Sequence, residues 1–313
     1  MKQRKPWVRI ASVALAFVLT GYLLLDTLIL RAAYQTDVSG DTASAFSAAQ
    51  SRLQQSGRDE TETTDAAEPL SGGAVIDTYT DDGLTVTLLE YTVNDTAVYV
   101  ADVTTDSAAR LQTAFAEDAY GRNITAATSE IAQAHDAVLA VNGDYYGARE
   151  RGYVIRNGVV YRDTADDADV CCIYADGSME IVSADDYTAQ ELADAGVWQA
   201  FSFGPALVED GVVQVDANDE VGRAKASNPR TAIAVLGANR YLLVVSDGRT
   251  DESEGLSLKE LADFLQSLGA ETAYNLDGGG SSTMVFLGEV INNPTTTGNS
   301  IKERSVSDIV YFS

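Results

Sequence analysis

The chain has 313 residues and a formal net charge of −26, from 47 acidic and 21 basic residues. This charge repels polyanions, which excludes nucleic acid as a general partner and means that an anionic substrate needs a local basic pocket. The only two cysteines, Cys171 and Cys172, exclude a disulfide scaffold. They are buried strand residues or a strained vicinal disulfide. The single histidine, His135, argues against a zinc site.

The N-terminal segment is predicted to cross a membrane. An uncharged run covers residues 10–25, and apolar character resumes after Asp26 up to Leu30. About 20 helical residues span the hydrocarbon core, so the run is long enough. Basic residues precede it and place that end in the cytoplasm: Lys2, Arg4, Lys5 and Arg9.

We therefore predict that residues 1–31 form a cytoplasmic tip and an uncleaved signal anchor. The protein would be a single-pass cell-membrane protein with an extracellular domain. A cleaved signal peptide is the alternative, but Arg31 interrupts the small residues that would form its cleavage site.

Residues 32–73 are predicted to be a disordered extracellular stalk. They are rich in Ser, Thr, Ala, Gln, Asp and Glu and have almost no aliphatic periodicity. Such a segment buries too little apolar surface to offset its chain entropy. A short helix over residues 43–53 is possible, although it would be marginal on its own.

Residues 74–313 carry the periodicities of a folded domain. Strands are predicted at 84–89, 97–103, 137–141, 153–156, 159–162, 171–174, 179–182, 200–208, 232–236, 241–245, 272–276 and 306–312. Helices are predicted at 107–116, 128–135, 188–195 and from the capping box at Ser257 to Leu268. Several strands are joined by tight turns, so the predicted class is α+β, with a mixed, largely antiparallel β-sheet flanked by helices.

A glycine loop follows the predicted strand 272–276. Asp277 precedes three glycines, Gly278, Gly279 and Gly280, and Ser281 and Ser282 come next. Successive amides in such a loop form a nest for an anion, to which the hydroxyls add donors. A glycine-rich turn between two strands is the alternative. The loop fits neither a P-loop, which needs a lysine, nor a nucleophile elbow, which needs glycine two residues after the serine.

Two other strand ends carry polar groups. The run 137–141 ends in Asn142, Gly143, Asp144 and Tyr145, which would lie at a sheet edge where ligand sites occur, unless they form an ordinary Asn-Gly turn.

The hairpin that begins at Arg230 returns to Asp247 and Arg249, which brings two guanidiniums to one end. They form either an anion clamp or structural pairs with nearby acids.

Five motifs together resemble the phosphodiester glycosidase family over residues 74–313. They are N-G-D-Y-Y at 142–146, F-G-P at 203–205, N-P-R-T-A at 228–232, S-D-G-R at 246–249 and N-L-D-G-G-G-S-S-T-M at 275–284. The resemblance implies a mixed α and β domain that hydrolyses a sugar-1-phosphodiester at a site built from these motifs.

The site expected from the resemblance combines cations, amides and carboxylates. The catalytic candidates are Asp277, Asp144, Asp247 and Arg230. The candidates for contacts with substrate or phosphate are Asn142, Gly143, Tyr145, Arg249, Gly278, Gly279, Gly280, Ser281 and Ser282. Asp277 or Asp144 could instead hold a divalent cation, calcium or magnesium.

The predicted substrates are envelope or exopolysaccharide glycans, because the domain is expected outside the cell. A non-catalytic protein that binds anionic glycans or assists exopolysaccharide assembly is the alternative. Hydrolysis of a different phosphodiester bond is a third possibility.

Overall fold

The core lies between one large β-sheet and two smaller ones. The computed structural model describes residues 36–37, 41–57, 69–216, 227–296 and 300–313. The helices in this part of the chain are α1 Thr42–Ser56, α2 Thr128–Ala134, α3 Ala189–Asp194 and α4 Leu258–Ser267. The strands are β1 Thr36–Asp37, β2 Ala74–Asp81, β3 Leu84–Val93, β4 Thr96–Thr105, β5 Leu111–Phe115, β6 Ala119–Tyr120, β7 Leu139–Asn142, β8 Val154–Arg156, β9 Val159–Arg162, β10 Val170–Tyr174, β11 Met179–Val182, β12 Val197–Phe201, β13 Ala206–Glu209, β14 Val212–Val213, β15 Arg230–Gly237, β16 Arg240–Ser246, β17 Thr272–Asn275, β18 Met284–Phe286, β19 Glu289–Val290 and β20 Asp308–Phe312.

Every strand pair among the described residues is antiparallel. The eight-stranded sheet has the order β14-β13-β17-β15-β16-β4-β3-β2, and the five-stranded sheets have the orders β11-β10-β12-β8-β9 and β19-β18-β7-β20-β5. Strands β1 and β6 pair separately. The predicted α+β class is confirmed, but the described strands form three main sheets rather than one mixed sheet.

Side chains alternate between the two faces of each strand, and those on the inner face fill the space between the sheets. On β3, Leu84, Val86 and Leu88 face the two smaller sheets, whereas Leu89 and Tyr91 face α4. The central strands β15 and β16 are therefore buried on both faces, which explains their nearly continuous apolar sequences. Each fully buried aliphatic side chain contributes about 1.5–3 kcal/mol.

The helix predicted from Ser257 is confirmed. Ser257 accepts a hydrogen bond from the Glu260 amide, and the Glu260 carboxylate accepts one from the Ser257 amide. Leu258, Leu261 and Leu265 are buried against the outer face of the large sheet. This helix holds the sheet from which the glycine loop emerges.

Two predicted elements of the domain are wrong. Residues 107–116 form a short 3-10 turn and then β5, which pairs with β20, instead of a helix. The predicted strand 200–208 is two strands, β12 and β13, which belong to different sheets and are separated by Gly204-Pro205. In both cases the distant partner strand decides the structure, because local propensity is a weak determinant of strands.

Helix α1 corrects the prediction of a disordered stalk for residues 42–56 and confirms the alternative of a short helix over residues 43–53. Phe46, Ala49 and Leu53 lie on one face of the helix and are buried in a cluster that includes Trp198. The Phe46 and Trp198 rings meet edge to face, with their centroids 5.0 Å apart. An isolated helix of this length is marginal, but packing on the domain supplies the missing stabilisation.

Replacing Phe46 with alanine should lower the free energy of unfolding by about 3–5 kcal/mol, the usual cost of deleting a buried aromatic side chain. Urea denaturation followed by tryptophan fluorescence measures the change. Gln50→Ala, at an exposed position of the same helix, should leave stability nearly unchanged. Equal stability of the Phe46 variant and the parent would contradict the docking of α1.

The adjacent cysteines form no disulfide and are buried on opposite faces of β10. Cys171 packs in the central core, and Cys172 packs in the cluster beneath α1 and α3. Successive strand residues point to opposite faces, so the two sulfurs are directed apart and the vicinal disulfide does not form.

Within the described ranges, no helix is long and apolar enough to span a membrane. The predicted signal anchor, within residues 1–31, lies outside those ranges.

Candidate active site

The glycine loop crosses from the large sheet to one of the smaller sheets. It leaves β17, forms a 3-10 turn over Gly279–Ser281 and enters β18. A Cβ atom on Gly278 would lie 2.9 Å from the Pro229 carbonyl oxygen, and one on Gly279 would lie 2.9 Å from Arg249 Nη2. Glycine is required at position 278 because the Pro229 backbone approaches so closely, and at position 279 because φ is +63°, a left-handed conformation that favours glycine.

Most amides of the loop are used inside the protein. The Gly279 amide donates to the Pro229 carbonyl, and those of Ser281 and Ser282 donate to Gly278 and Gly279. The predicted anion nest, formed by successive free amides, therefore does not fit this geometry. Cationic side chains around the loop are better placed to bind an anion.

Asp277, Ser281 and Arg304 form one hydrogen-bonded cluster. Ser281 Oγ donates to Asp277 Oδ2 over 2.5 Å, and Arg304 Nη2 donates to the same carboxylate oxygen over 2.9 Å. Arg304 also donates through Nε to Ser281 Oγ, at 2.9 Å. The side chain of Arg304 is 40% exposed and that of Asp277 is 12% exposed, so the cluster reaches the surface.

Burial raises the pKa of Asp277, although the hydrogen bond from Ser281 and the charge of Arg304 act in the opposite direction. Both side-chain bonds end on Oδ2, so Oδ1 accepts no side-chain hydrogen bond in the described part of the chain. The Gly278 amide also lies within hydrogen-bonding reach of this carboxylate. Asp277 thus combines an oxygen free of side-chain partners with a pKa above the ordinary aspartate value, as a general base requires.

Arg249 lies across the glycine loop. Its guanidinium donates to Asn228 Oδ1 and to the Thr296 carbonyl, and it forms no ion pair with a carboxylate among the described residues. Burial lowers the pKa of Arg249, and the nearby charge of Arg304 lowers it further. Two neighbouring cations that repel each other beside a backbone loop favour an anion between them.

Arg230 lies at the end of the β15–β16 hairpin from which the chain continues to Arg249, because Arg230 pairs with Ser246 in the strand register. Its Cδ atom is 3.9 Å from a Cβ position on Gly278, so the side chain packs against the loop. The guanidinium Nε donates to the Leu256 carbonyl, at 2.8 Å. Arg230 therefore supports the loop and adds positive charge beside it.

Asn142 connects three segments at the base of the site. Its Nδ2 donates to the Asp277 carbonyl oxygen over 2.6 Å, and its Oδ1 accepts from Thr231 Oγ1 over 2.8 Å and from the Thr283 amide. Asn142 is fully buried and its side-chain amide is bonded within the protein, so in this structure it positions Asp277. Its predicted contact with substrate stays a prediction. Ser282 is also fully buried, and its hydroxyl has no partner among the described residues.

Asp144 belongs to a buried ion triad, which does not fit the predicted catalytic role. Arg156 donates from Nη2 to Asp144 Oδ1 over 2.8 Å and from Nε to Asp308 Oδ2 over 2.9 Å. The Ser202 amide holds the other Asp144 oxygen. Gly143 is required beside this triad, because a Cβ there would lie 2.2 Å from Asp308 Oδ1. Tyr145, by contrast, is exposed with positive φ.

Asp247 forms hydrogen bonds with a neighbouring loop, and its carboxylate is buried. Its Oδ1 accepts from the Asn293 amide at 2.8 Å, its Oδ2 accepts from Asn293 Nδ2, and Asn292 Nδ2 lies 3.3 Å from Oδ1. The residue is 2% exposed. This bonding fixes the segment that follows β19, and the predicted catalytic role does not fit it.

The donor set also bears on the predicted divalent cation. No cluster of three or more metal-ligating side chains occurs in the described ranges. Asp277 bonds Arg304 and Asp144 bonds Arg156, so each candidate carboxylate already has a cationic partner. Calcium and magnesium prefer several oxygen ligands, and these residues do not supply them.

The pH dependence of stability should reflect Asp308. Burial raises the pKa of Asp308 to about 7, whereas an aspartate in an unfolded chain titrates at about 3.9. Between these values the folded state keeps a proton that the unfolded state has lost, so stability falls as pH rises through this window and then levels off.

The melting temperature of the protein should therefore be lower at pH 8 than at pH 5, and Asp308→Asn should reduce this difference. Calorimetry at both pH values measures it, with Asp263→Asn, an exposed site on α4, as the control. The same pH difference in Asp308→Asn and the parent would exclude Asp308 as the cause.

Comparison with known sequences and structures identifies the class of the protein. The sequence profile of phosphodiester glycosidases, which are hydrolases, matches residues 135–313 and so includes the glycine loop, Arg249 and Arg304. This match covers more than half of the chain. The chain belongs to the phosphodiester glycosidase family.

Individual relatives share shorter regions. An uncharacterised SPbeta prophage-derived protein of Bacillus subtilis, YomE, is 30% identical over 50% of this chain and 25% of its own length. The mouse N-acetylglucosamine-1-phosphodiester alpha-N-acetylglucosaminidase is 33% identical over 34% of this chain and 21% of its own length. The chain thus spans about a quarter or less of these relatives.

Solved structures share the fold at low sequence identity. The catalytic domain of zebrafish N-acetylglucosamine-1-phosphodiester alpha-N-acetylglucosaminidase, auto-inhibited by its pro-peptide, aligns with a TM-score of 0.59 at 19% identity, over 77% of this chain and 87% of that one. A hypothetical protein from Synechocystis aligns with a TM-score of 0.59 at 17% identity, over 79% of this chain and 64% of that one.

Proposed function

We propose that the chain hydrolyses a sugar-1-phosphodiester at the bond between the anomeric carbon and the phosphate oxygen. The observation that carries this proposal is the position of Asp277, a partly exposed carboxylate beside Arg304 in a loop that Arg249 also touches. Acid–base chemistry at a sugar needs the carboxylate, and a phosphate needs the cations. The name of the mouse relative supports the same substrate class.

In the expected reaction the arginines bind the phosphate and the carboxylate acts as the general base. Arg304 and Arg249 hold the phosphate oxygens, while Asp277 accepts a proton from the attacking water. The water oxygen bonds to the anomeric carbon, and the electron pair of the broken carbon–oxygen bond stays on the phosphate oxygen. The products are a free sugar and a phosphomonoester, and the phosphate leaves without a strong general acid.

Hydrolysis in ¹⁸O-labelled water tests the position of cleavage. A substrate such as a sugar-1-phosphate methyl ester should give labelled sugar and unlabelled methyl phosphate. Label in the phosphate would mean cleavage of the phosphorus–oxygen bond, a different phosphodiesterase reaction. Stable binding of anionic glycan with no turnover would instead support the non-catalytic binding protein.

We also propose that the natural substrates are envelope or exopolysaccharide glycans outside the cell. The charge pattern supports this location, since basic residues precede the uncharged run 10–25 at its N-terminal side. Protease added to intact cells should digest the domain if it is extracellular, and full protection would contradict this proposal.

Replacing Arg304 with methionine should lower kcat/KM by about 10–150-fold, because a hydrogen bond to a charged group contributes about 1.5–3 kcal/mol. Since Arg304 lowers the pKa of Asp277, its loss should also move the acidic limb of the pH–rate profile to higher pH. Steady-state kinetics across pH measure both effects. Lys302→Met, at an exposed position two residues away, should change neither, and unchanged kinetics for Arg304→Met would remove it from the site.

A further inference from the structure

A cavity lies beside Tyr146, in the loop that follows β7. Asn142, at the other end of this loop, contacts the candidate active site. The cavity has a volume of about 350 Å³, and its lining includes two tyrosines, three arginines and one acid: Tyr120, Tyr146, Arg122, Arg149, Arg162 and Glu150. Its volume is at the lower end of the range for small-molecule sites, about 300–1,000 Å³. The cavity therefore fits one or two rings and not an extended chain.

The aromatic wall of the cavity is rigid. The Tyr120 and Tyr146 rings are stacked, with centroids 5.3 Å apart and planes 14° apart. Phe115 packs edge to face against both rings. Tyr146 is 2% exposed and its hydroxyl is buried beside the Gly121 backbone, so this ring supports the wall from inside the protein. Tyr120, which is only half-buried, is the ring that presents its surface to the cavity.

The cavity is positively charged within a strongly acidic protein. Arg162 donates to the carbonyls of Gly152, Tyr146 and Arg149, and it has no carboxylate partner among the described residues. Burial lowers the pKa of Arg162, and the nearby charge of Asp144 acts in the opposite direction.

The other two arginines have carboxylate partners at different distances. Arg149 has one long contact with Asp166, at 3.9 Å, and stacks on Phe203. Arg122 pairs with Glu150 at the exposed rim. The net charge of the lining therefore favours an anion.

We propose that this cavity binds a sugar ring that carries a carboxylate or a phosphate. The guanidiniums would pair with the anionic group, and the Tyr120 ring would pack against the apolar side of the sugar. An inorganic anion would use the arginines but leave the aromatic wall uncovered. This inference does not depend on hydrolysis at Asp277.

Binding of methyl glucuronide, methyl glucoside and inorganic phosphate to the full chain tests the proposal. None of these probes is a phosphodiester, so the result is separate from the proposed reaction. Calorimetry or ligand-observed NMR should show that the glucuronide binds at least about tenfold more tightly than the glucoside, as a charge-assisted pair worth about 1.4 kcal/mol or more predicts. Equal affinity of the two sugars, or no binding of the glucuronide at millimolar concentration, would overturn it.

Variants separate the two parts of the site. Arg149→Met and Arg122→Met should each weaken glucuronide binding, and Tyr120→Leu should weaken it while leaving phosphate binding in place. Arg151→Met, at an exposed arginine outside the cavity lining, is the matched control and should bind like the parent. If Tyr120→Leu, shown to be folded by circular dichroism, binds the glucuronide unchanged, the site recognises anions alone and the sugar assignment fails.

Discussion

Replacing Asp277 with asparagine should reduce release of sugar from a sugar-1-phosphodiester by about 10²–10⁴-fold, the usual contribution of a general acid or base. Asparagine keeps the shape of the side chain and can still accept from Ser281 and Arg304, so the loop should stay folded. It cannot take a proton from water. The loss should therefore appear in kcat more than in KM, as single-turnover measurements with saturating substrate would show.

Asp263→Asn removes a carboxylate from the exposed face of α4 and should retain full activity. The parent should also lose kcat/KM on acidification at a pH above the ordinary aspartate value, because burial raises the pKa of Asp277. If Asp277→Asn were as active as Asp263→Asn, the carboxylate would not take part in the reaction, and the site would have to be sought elsewhere.

Local patterns predicted the parts of the site that lie within one turn of the chain. The glycine loop, its preceding aspartate and the capped helix α4 all follow from consecutive residues, and the hairpin register brings Arg230 to the same end as Arg249. Such features depend on backbone geometry, which short sequences specify well.

Contacts between distant segments were not predictable in the same way. Arg304 reaches Asp277 from a polar loop with no periodicity, and nothing in its neighbours indicates that contact. Asp144 and Asp247 look like Asp277 in the sequence, since each follows a buried strand. Only the partners that tertiary structure brings to them, Arg156 and Asn293, show that they are used inside the protein.

The ion triad gives Asp144, in the motif at residues 142–146, a structural role that supports the candidate active site. Arg156 ties Asp144, in the loop after β7, to Asp308, at the start of β20. These segments also hold Asn142, which bonds the Asp277 carbonyl, and Tyr146, which lines the second cavity. The triad is itself buried and therefore stabilises the segments that support both proposed sites.

Replacing Arg156 with methionine should lower the free energy of unfolding by about 3–5 kcal/mol, because it leaves two buried carboxylates without their cation. Arg156 and both aspartates are about 1% exposed, so water does not screen the loss. The destabilisation should be greater at pH 8 than at pH 5, since Asp308, whose pKa burial raises to about 7, is neutralised by protonation at the lower pH.

A triple variant, Asp144→Asn with Arg156→Met and Asp308→Asn, distinguishes charge from packing. It removes the uncompensated charges along with the arginine, so at pH 8 it should be more stable than Arg156→Met alone. Chemical denaturation of the three proteins at both pH values provides the comparison. If the triple variant were no more stable than the single one at pH 8, the loss would come from the packing of Arg156 against Phe201 and Tyr146 and not from its charge.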